Sequence, residues 1–388
     1  MAGVAPASAG DRAARLGLAT ILAIGAATAA AHIGNNFTTY LVGGLVDRFG
    51  FLPGRMGLFS MAETLSYAAA MFVVAPRAAG LSARRLGMIS TVLVVAAQGG
   101  SALLSAYWLL VAARVAAGMG FGLMNSAVNL AAGRTAHPAR AISAGITIQT
   151  LLYAGLNIAL PRIGVAYGVA GEFAALATLA AVFGAVALAL PAQAGAAVAA
   201  DRAHGPIGAD GRRILVAMAL FASGSMAIWP FMERAAHAIG LAATAFGQAQ
   251  SIATLLSAGS NAVLAAIVSR IPRAGPLAGA LLVCGGACAV MTTVGSPAGF
   301  AVALVIYNAS WFVVYPLLLS LAYGCDGSGR LAVMTTATWL LSISFGSLGA
   351  GYIAQASGSY RYVGIIGFAA CLAAIVATWP LARRLDRG

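Results

Sequence analysis

Long apolar stretches follow one another along the chain and are separated by short polar gaps. A helix of about 20 apolar residues spans the roughly 30 Å hydrocarbon core of a membrane, and these stretches reach about that length. The pattern predicts twelve transmembrane spans, at 16–45, 54–76, 86–105, 108–132, 141–161, 172–191, 214–236, 243–268, 276–294, 297–322, 331–355 and 361–381. The predicted fold class is therefore an all-α integral membrane protein.

The composition agrees with a membrane protein and argues against several other classes. Of the 388 residues, 61% are hydrophobic and 8% are charged, whereas a soluble domain carries about 25% charged residues. The net charge of +13 comes from arginines that sit in the short gaps. They form no basic face with interleaved aromatics, so nucleic-acid binding is not indicated. No ATP-binding loop, hydrolase elbow or zinc motif is present, so we expect neither ATP-driven transport nor an enzyme, and no cofactor or metal.

The arginines are divided unevenly between the two sides of the predicted membrane. Gaps on one side carry sixteen of the 22 arginines, and the gaps on the other side carry five, which are Arg48, Arg55, Arg162, Arg234 and Arg361. Because positively charged loops stay in the cytoplasm, both termini are predicted to be cytoplasmic. The absence of lysine is typical of a GC-rich bacterial genome. The expected location is therefore the inner membrane of a bacterium.

The longest polar stretch, residues 192–213, falls between the sixth and seventh spans. Its glycine, proline and charged residues predict a flexible cytoplasmic linker. It separates an N-terminal six-helix half, 1–191, from a C-terminal six-helix half, 214–388. The halves are weakly repeated, since spans two and eight end alike in Pro76-Arg77 and Pro272-Arg273. Internal repeats are how many secondary transporters build a central site with alternating access.

The fourth span carries the most specific motif of the chain. Leu110, Arg114, Gly118 and Gly120 match the pattern Leu-x-x-x-Arg-x-x-Gln-Gly-x-Gly, with Ala117 in place of the glutamine. With this motif and two six-span halves, the chain resembles the major facilitator superfamily of secondary transporters over nearly its whole length. The resemblance implies a solute cavity between the halves, lined mainly by spans one, four, seven and ten, and a monomer as the default.

The loops that usually carry the charged motif of this family depart from it here. Arg77 matches an arginine of the pattern after span two, but Pro76 stands where the family has aspartate. After span eight, Arg270 and Arg273 remain, with Ser269 in the aspartate position. We expect Arg77, Arg270 and Arg273 to belong to gating loops. The Gly-Pro motif that marks many drug/proton antiporters is also absent from span five, which makes a multidrug antiporter a less favoured interpretation.

Two ionisable residues are predicted to lie deep inside the membrane. A charge at such a depth is expensive and is usually paired or functional. Glu63, in span two, is predicted to couple transport to protons or to be a counter-charge for Arg114 or a substrate; a structural pair is the alternative. Arg114 is interpreted as an anchor for a substrate anion, as a modulator of a nearby carboxylate or as a donor to backbone carbonyls. The family resemblance favours its involvement in proton coupling.

A set of polar and aromatic side chains in spans one, four, five, ten and eleven is predicted to line the solute cavity. Its members are His32, Asn36, Tyr40, Arg114, Gln149, Asn308, Trp311, Tyr315 and Trp339. The residues of span one, and likewise those of span ten, recur at helical spacing and share a face. Aromatic rings with polar tips suit a planar or amphipathic solute. The alternative is ordinary helix packing or, for His32, a hydrogen bond that only satisfies its ring.

Charged residues also cluster at the end of span seven, where Glu233, Arg234 and His237 follow Trp229. They are predicted to form an outer gate or part of the site, with Glu233 as a candidate for proton coupling. The alternative is a helix end that reaches interfacial water, where tryptophan and charges are common. Glu172, at the start of span six, is interpreted as interfacial.

These patterns predict a secondary active transporter that moves a small solute by alternating access, driven by a proton gradient. An organic anion or a small aromatic solute is the favoured cargo. An exporter of amphiphilic, drug-like compounds and a transporter-like sensor that binds without transport remain as alternatives. A channel has less support, because no ring of charges or filter repeat is present. The expected partners are the solute, the coupling ion and membrane lipid.

Overall fold

The computed structural model describes residues 18–133, 135, 138–190, 207–267, 270–326 and 330–387. Most of the predicted linker, together with Arg12, Arg15, Arg134, Arg202 and Ser269, lies outside these residues. The described α-helices are α1 (Leu18–Phe49), α2 (Pro53–Val74), α3 (Ala83–Leu103), α4 (Tyr107–Gly133), α5 (Pro138–Ala187), α6 (Ala209–Gly224), α7 (Met232–His237), α8 (Ala243–Ile267), α9 (Ala274–Thr293), α10 (Pro297–Cys325), α11 (Arg330–Ser357) and α12 (Arg361–Leu385). Short 3-10 helices cover Ala75–Gly80 and Ser225–Phe231. In this part of the chain, ten helical segments are long and apolar enough to cross a membrane.

Predicted spans five and six are joined in α5 without the loop that the sequence indicated between 161 and 172. The helix is instead broken at Gly168, whose φ of 64° and ψ of −171° are not helical. A positive φ is readily adopted by glycine and is strained for other residues. The polypeptide therefore changes direction at a single residue, and the chain on either side of it remains helical.

Predicted span seven is not one continuous helix. It consists of α6, the 3-10 helix Ser225–Phe231 and the short helix α7. Pro230 lies in the 3-10 segment, where it removes a backbone donor. The carbonyl of Ser225 accepts a hydrogen bond of 3.0 Å from the hydroxyl of Tyr307, which lies in α10. A hydrogen bond from α10 thus stabilises this irregular segment in addition to its own backbone hydrogen bonds.

Helices α1 to α5 pack on one another, as do α6 to α12, and a smaller set of contacts joins these two groups. Between the groups, α2 packs on α11, α5 packs on α8, and the 3-10 segment and α7 pack on α1. Glycines permit α2 and α11 to approach each other closely. A Cβ on Gly57 of α2 would stand 2.6 Å from the carbonyl oxygen of Ser347 in α11, and one on Gly351 would stand 2.4 Å from that of Pro53.

The two groups of helices are joined on only one side of the molecule, as far as the described residues show. We call the side with Arg48, Arg55, Arg162, Arg234 and Arg361 the arginine-poor face, and the opposite side the arginine-rich face. Hydrogen bonds between the groups join Gly54 to Gln355, Asp47 to Arg234, Thr39 to Glu233, Asn35 to Trp229 and Asn157 to Thr254. By their positions along the helices, all five lie between mid-membrane and the arginine-poor face. The structure is therefore closed towards that face.

Candidate functional site

The predicted charges of spans two and four meet in a buried ion pair. Nη2 of Arg114 lies 2.8 Å from Oε2 of Glu63, and the two side chains are 1% and 2% exposed. The same nitrogen donates to the hydroxyl of Thr38 in α1 at 2.8 Å. The guanidinium also lies over the ring of Phe59, 4.8 Å from its centroid. Arg114 is thus enclosed by α1, α2 and α4.

The glycines of the fourth-span motif explain why the helices approach closely enough for this pair. A Cβ on Gly118 would stand 2.3 Å from the carbonyl oxygen of Glu63, and one on Gly120 would stand 2.5 Å from a methyl group of Val94 in α3. On α1, a Cβ on Gly34 would stand 2.7 Å from the carboxylate of Glu63. Small residues at helix contacts let backbones approach in membranes. The motif therefore brings α4 against α2 and α3 while Arg114 reaches Glu63.

His32 lies beside this pair but does not contact it. Its Nδ1 is 2.9 Å from the carbonyl oxygen of Thr28, one turn earlier. A carbonyl only accepts, so Nδ1 carries the hydrogen. Nε2 lies 3.3 Å from the hydroxyl of Tyr67 in α2, and in the neutral ring it accepts from that hydroxyl. His32 is therefore satisfied by one hydrogen bond within α1 and one to α2.

A polar cavity lies between the two groups of helices, near the middle of the chain's spans. Ten residues line it, five from each group: Asn36, Gln149, Thr150, Tyr153, Asn157, Trp229, Gln250, Thr254, Asn308 and Phe312. Of the residues predicted to line a cavity, Asn36, Gln149 and Asn308 are present. Arg114 and His32 are not among the lining residues. Tyr153, Asn157, Gln250 and Thr254 were missed by the sequence analysis, although each is a polar side chain inside an apolar span.

Tyr40 lies at the edge of this cavity and takes part in a bridge between the groups. Its hydroxyl donates to Oδ1 of Asn157 at 3.1 Å, and Nδ2 of Asn157 donates to the hydroxyl of Thr254 at 3.1 Å. The chain of hydrogen bonds runs from α1 through α5 to α8. Tyr40 also lines a second cavity, nearer the arginine-poor face. Tyr40 therefore contacts a lining residue of the first cavity and itself lines the second.

The aromatic residues predicted for spans ten and eleven form a cluster inside the second group of helices. Trp311 stacks on Tyr315, with ring centroids 5.8 Å apart and planes at 16°, and Trp339 lies 5.5 Å from Tyr315. The indole nitrogens of Trp311 and Trp339 both point to the sulfur of Met226, at 2.7 and 3.2 Å. All three aromatic residues are partly exposed. None of them lines the polar cavity described above.

Two further carboxylates lie buried at the second cavity, near the arginine-poor face. Glu172 and Glu233 are each 5% exposed, and Oε2 of each has no hydrogen-bond partner among the described residues. Both line this cavity of about 560 Å³, together with Asp47. The neighbouring Arg234 is bound to Asp47 at 2.6 Å. Glu172, which was interpreted as interfacial, is thus buried in the protein near the arginine-poor face, because the break at Gly168 turns its helix back.

The arginines predicted for gating loops all lie at the arginine-rich face. Nη1 of Arg77, in the 3-10 helix Ala75–Gly80, donates to the carbonyl of Val73 at the end of α2, 2.9 Å away. Arg270 is exposed. The backbone N–H of Arg273 donates to Asp386 at 2.7 Å, which ties the start of α9 to the end of α12. Each of these contacts stays within one group of helices.

Comparisons with known proteins give a likeness of fold only. No family model and no curated protein matches the sequence. A mutant of the nucleoside transporter NupG is similar in structure with a TM-score of 0.76 at 10% identity, covering 94% of this chain and 99% of that one. A mutant of the peptide transporter POT gives 0.76 at 14%, covering 100% and 99%. The inward open xylose transporter XylE from E. coli gives 0.65 at 15%, covering 91% and 93%. The chain therefore has the fold of the transporters of the major facilitator superfamily.

Proposed function

We propose that the chain is a secondary active transporter that moves a small solute across a bacterial inner membrane by alternating access. One observation carries the proposal. The polar cavity takes half of its lining from each group of helices, and the hydrogen bonds between the groups, as far as the described residues show them, all lie towards one face. Rocking of one group on the other would expose such a cavity to each side in turn. The proteins of similar structure are transporters of nucleosides, peptides and xylose, and no enzymatic role has support.

The proposed topology has twelve spans in two six-helix halves, 1–191 and 214–388, joined by the linker 192–213. At 47 residues, the apolar part of α5 would be about 70 Å long if straight, more than twice the thickness of the hydrocarbon core. We therefore count its two arms as two spans and add α8, which has 25 residues, to the segments already counted. Both ends of the chain then lie at the arginine-rich face, which the distribution of arginine assigns to the cytoplasm. The structure would accordingly face inward, like the xylose transporter named above.

The driving ion in this proposal is the proton, and three buried carboxylates are its candidate carriers. Glu63 is paired with Arg114, so protonation of Glu63 would change the charge balance where α1, α2 and α4 meet. Glu172 and Glu233 lie at the closed face, and neither forms an ion pair with a cation of the described residues. A buried carboxylate in that situation is favoured when it is neutral. Proton binding there would favour the closed arrangement of α1, α5 and α7.

The sequence favoured an organic anion or a small aromatic solute as cargo, and the choice of an anion depended on an Arg114 that faces the cavity. Arg114 is buried against Glu63 and Thr38 and is absent from the lining of the cavity. An exporter of drug-like compounds has little support from the structure, because seven of the ten residues that line the cavity are Asn, Gln or Thr. An anion is therefore not part of the proposal.

Uptake into proteoliposomes with an imposed pH gradient tests the function. We expect purified protein to accumulate one class of a solute panel, with faster uptake when the gradient is inward. In the variant Glu63→Gln, we expect uptake to lose its dependence on the gradient, whereas exchange of labelled for unlabelled solute continues. If the single variant folds poorly, the double variant Glu63→Gln/Arg114→Gln replaces it, because neither of the two buried charges is then left without its partner. Uptake by the double variant should likewise not depend on the gradient.

Asp210→Asn is the matched control, because Asp210 of α6 pairs with Arg384 of α12 at the arginine-rich face, and neutralising it leaves all three candidate carboxylates intact. Gradient dependence should survive in this control. Unchanged uptake and unchanged gradient dependence in Glu63→Gln would exclude Glu63 as the coupling group. Binding of solute without any exchange would instead support the sensor and overturn the transporter.

A further inference from the structure

Carboxamide side chains dominate the polar cavity between the two halves. Asn36 and Asn308 come from α1 and α10, Gln149 and Asn157 from α5, and Gln250 from α8. Among its described lining residues there is no arginine, aspartate, glutamate or histidine. Carboxamides donate and accept hydrogen bonds but carry no charge. The chemistry of the cavity therefore differs from that of the nearby ion pair.

Several of these carboxamides have hydrogen-bonding capacity that the protein does not use. Oε1 of Gln250 is buried without a partner among the described residues, and the whole side chain is 5% exposed. Gln149 makes no side-chain hydrogen bond to this part of the chain. Asn36 and Asn308 donate to the carbonyls of His32 and Leu304, one turn earlier, at 2.9 Å each, and their oxygens accept no hydrogen bond from the described residues. A buried polar atom without a partner is costly, so groups of a bound solute would satisfy this set.

The aromatic residues of the same cavity offer ring faces rather than polar tips. The indole N–H of Trp229 is taken by the carbonyl of Asn35 at 2.8 Å, and the hydroxyl of Tyr153 is taken by that of Ala29 at 2.6 Å. Phe312 has no polar tip. These side chains therefore present apolar surface beside the carboxamides, and such a mixture suits a solute with a ring and several polar substituents.

We propose that this cavity binds a neutral, ring-bearing solute with several hydroxyl or amide groups, of the sugar or nucleoside type. The inference rests on the proposed transport function and assigns its substrate class. A charged solute would be buried without an opposite charge, which is far more costly than burial of a hydrogen-bonded neutral one. The cavity measures about 50 Å³, room for one or two waters. The solute therefore binds as the halves part, as alternating access requires.

Ligand-dependent thermal unfolding of the purified full-length protein tests the class directly. D-xylose and uridine are the neutral probes, benzoate is the anionic probe, and tetraphenylphosphonium is the bulky cationic probe. We expect at least one neutral probe to raise the melting temperature and the charged probes to have no effect. If uridine acts at a lower concentration than xylose, a planar base is favoured; the reverse order favours a sugar.

Variants of the carboxamides locate the effect in the cavity. In Gln250→Leu and Gln149→Leu, we expect the Kd of the neutral probe to rise about tenfold each, because one hydrogen bond is lost and an apolar group faces the solute. Gln149 is partly exposed, so its variant remains informative if Gln250→Leu folds poorly. The matched control is Gln98→Leu, since Gln98 is a fully buried carboxamide of α3 without partners, outside the cavity. Its Kd should not change.

The outcomes separate this inference from the proposed function. Stabilisation by benzoate or tetraphenylphosphonium alone, or a Kd unchanged in both cavity variants, would overturn the neutral substrate class. Uptake of such a charged probe into proteoliposomes would leave the transporter standing while the inference falls. Conversely, binding of a neutral probe that weakens in the two variants, without uptake or exchange, supports the substrate class and refutes transport.

Discussion

Glu63 and the pair Glu172 and Glu233 are buried to a similar degree but have opposite surroundings. Glu63 is 2% exposed and lies 2.8 Å from a guanidinium nitrogen of Arg114. Glu172 and Glu233 are 5% exposed, and the nearby Arg234 is bound to Asp47 instead. A fixed cation allows a buried carboxylate to remain ionised, whereas one without a cation is stable mainly with a proton. Burial alone therefore does not tell which charge state a carboxylate holds.

Glycines of helix α1 lie beside both kinds of carboxylate. Gly34 lets α1 approach the ion pair, since a Cβ there would stand 2.7 Å from Oε2 of Glu63. Gly43 and Gly44 make room for the other two carboxylates, which would lie 2.1 and 3.0 Å from added Cβ atoms. Helix α1 thus packs against the carboxylate paired with Arg114 near its middle and, near the closed face, against two carboxylates without an ion pair among the described residues. Proton binding at the second position would couple directly to closure, because α7 belongs to the other half.

The largest effect is expected from breaking the ion pair. Arg114→Gln leaves Glu63 buried without its cation, and Glu63→Gln leaves Arg114 likewise, so each should destabilise the protein by about 3–5 kcal/mol. The double variant removes both charges and should recover most of this loss. The unmodified protein, the two single variants and the double variant form a double-mutant cycle. Their melting temperatures in detergent, at one pH and one salt concentration, give the interaction energy of the pair.

One outcome of this cycle would contradict the difference drawn between Glu63 and the other two carboxylates. If the two single losses simply add in the double variant, Arg114 and Glu63 do not stabilise each other and the pair is only a coincidence of packing. Thr38→Val serves as the control, because it removes one hydrogen bond to Arg114 and leaves both charges in place. It should cost about 1 kcal/mol.

A smaller effect is expected from the same substitution at the unpaired carboxylates. Glu172→Gln and Glu233→Gln replace a carboxyl that lacks a cation with a neutral isostere, so stability should change by no more than about 1 kcal/mol. Uptake driven by a pH gradient should fall about tenfold if these residues carry the coupling proton. The paired measurement is a melting curve and an uptake assay on the same preparation. A loss of stability as large as that of Glu63→Gln would show that these carboxylates are ionised and paired after all.

Much of the fold could be predicted from the apolar runs, because length and hydropathy are local properties of the sequence. The long described helices fall where those runs predicted them. The break at Gly168 and the 3-10 segment at Ser225–Phe231 were not predicted. Both depend on what surrounds one glycine or one proline, and an isolated Gly or Pro inside an apolar run does not reveal whether the helix bends there or ends.

The site could be predicted in part, for an equally physical reason. Glu63 with Arg114 was among the sequence interpretations, because two opposite charges inside apolar spans require partners. Asn36, Gln149 and Asn308 were predicted as polar side chains inside apolar spans, the two asparagines from their helical spacing to other polar residues, and the structure places all three at the cavity. The burial of Glu172 was missed, since it depends on how α5 turns back towards α1. Contact of Trp311, Tyr315 and Trp339 with the solute stays a prediction. In this structure they pack on Met226 and on one another.

The smallest effect is expected at the exposed pair of Asp47 and Arg234, and it tests the comparison most sharply. Asp47 is 61% exposed, so Asp47→Asn should change stability by less than about 1 kcal/mol, and added salt should remove even that difference. The substitution also frees Arg234, the residue next to Glu233. Marked stabilisation in Asp47→Asn would mean that Arg234 turns to Glu233 or Glu172 and supplies the cation they lack. In that case their difference from Glu63 would depend on one surface carboxylate. Melting curves of Asp47→Asn and Asp47→Asn/Glu233→Gln at low and high salt decide this, because stabilisation by Arg234 requires the Glu233 carboxylate and disappears in the double variant.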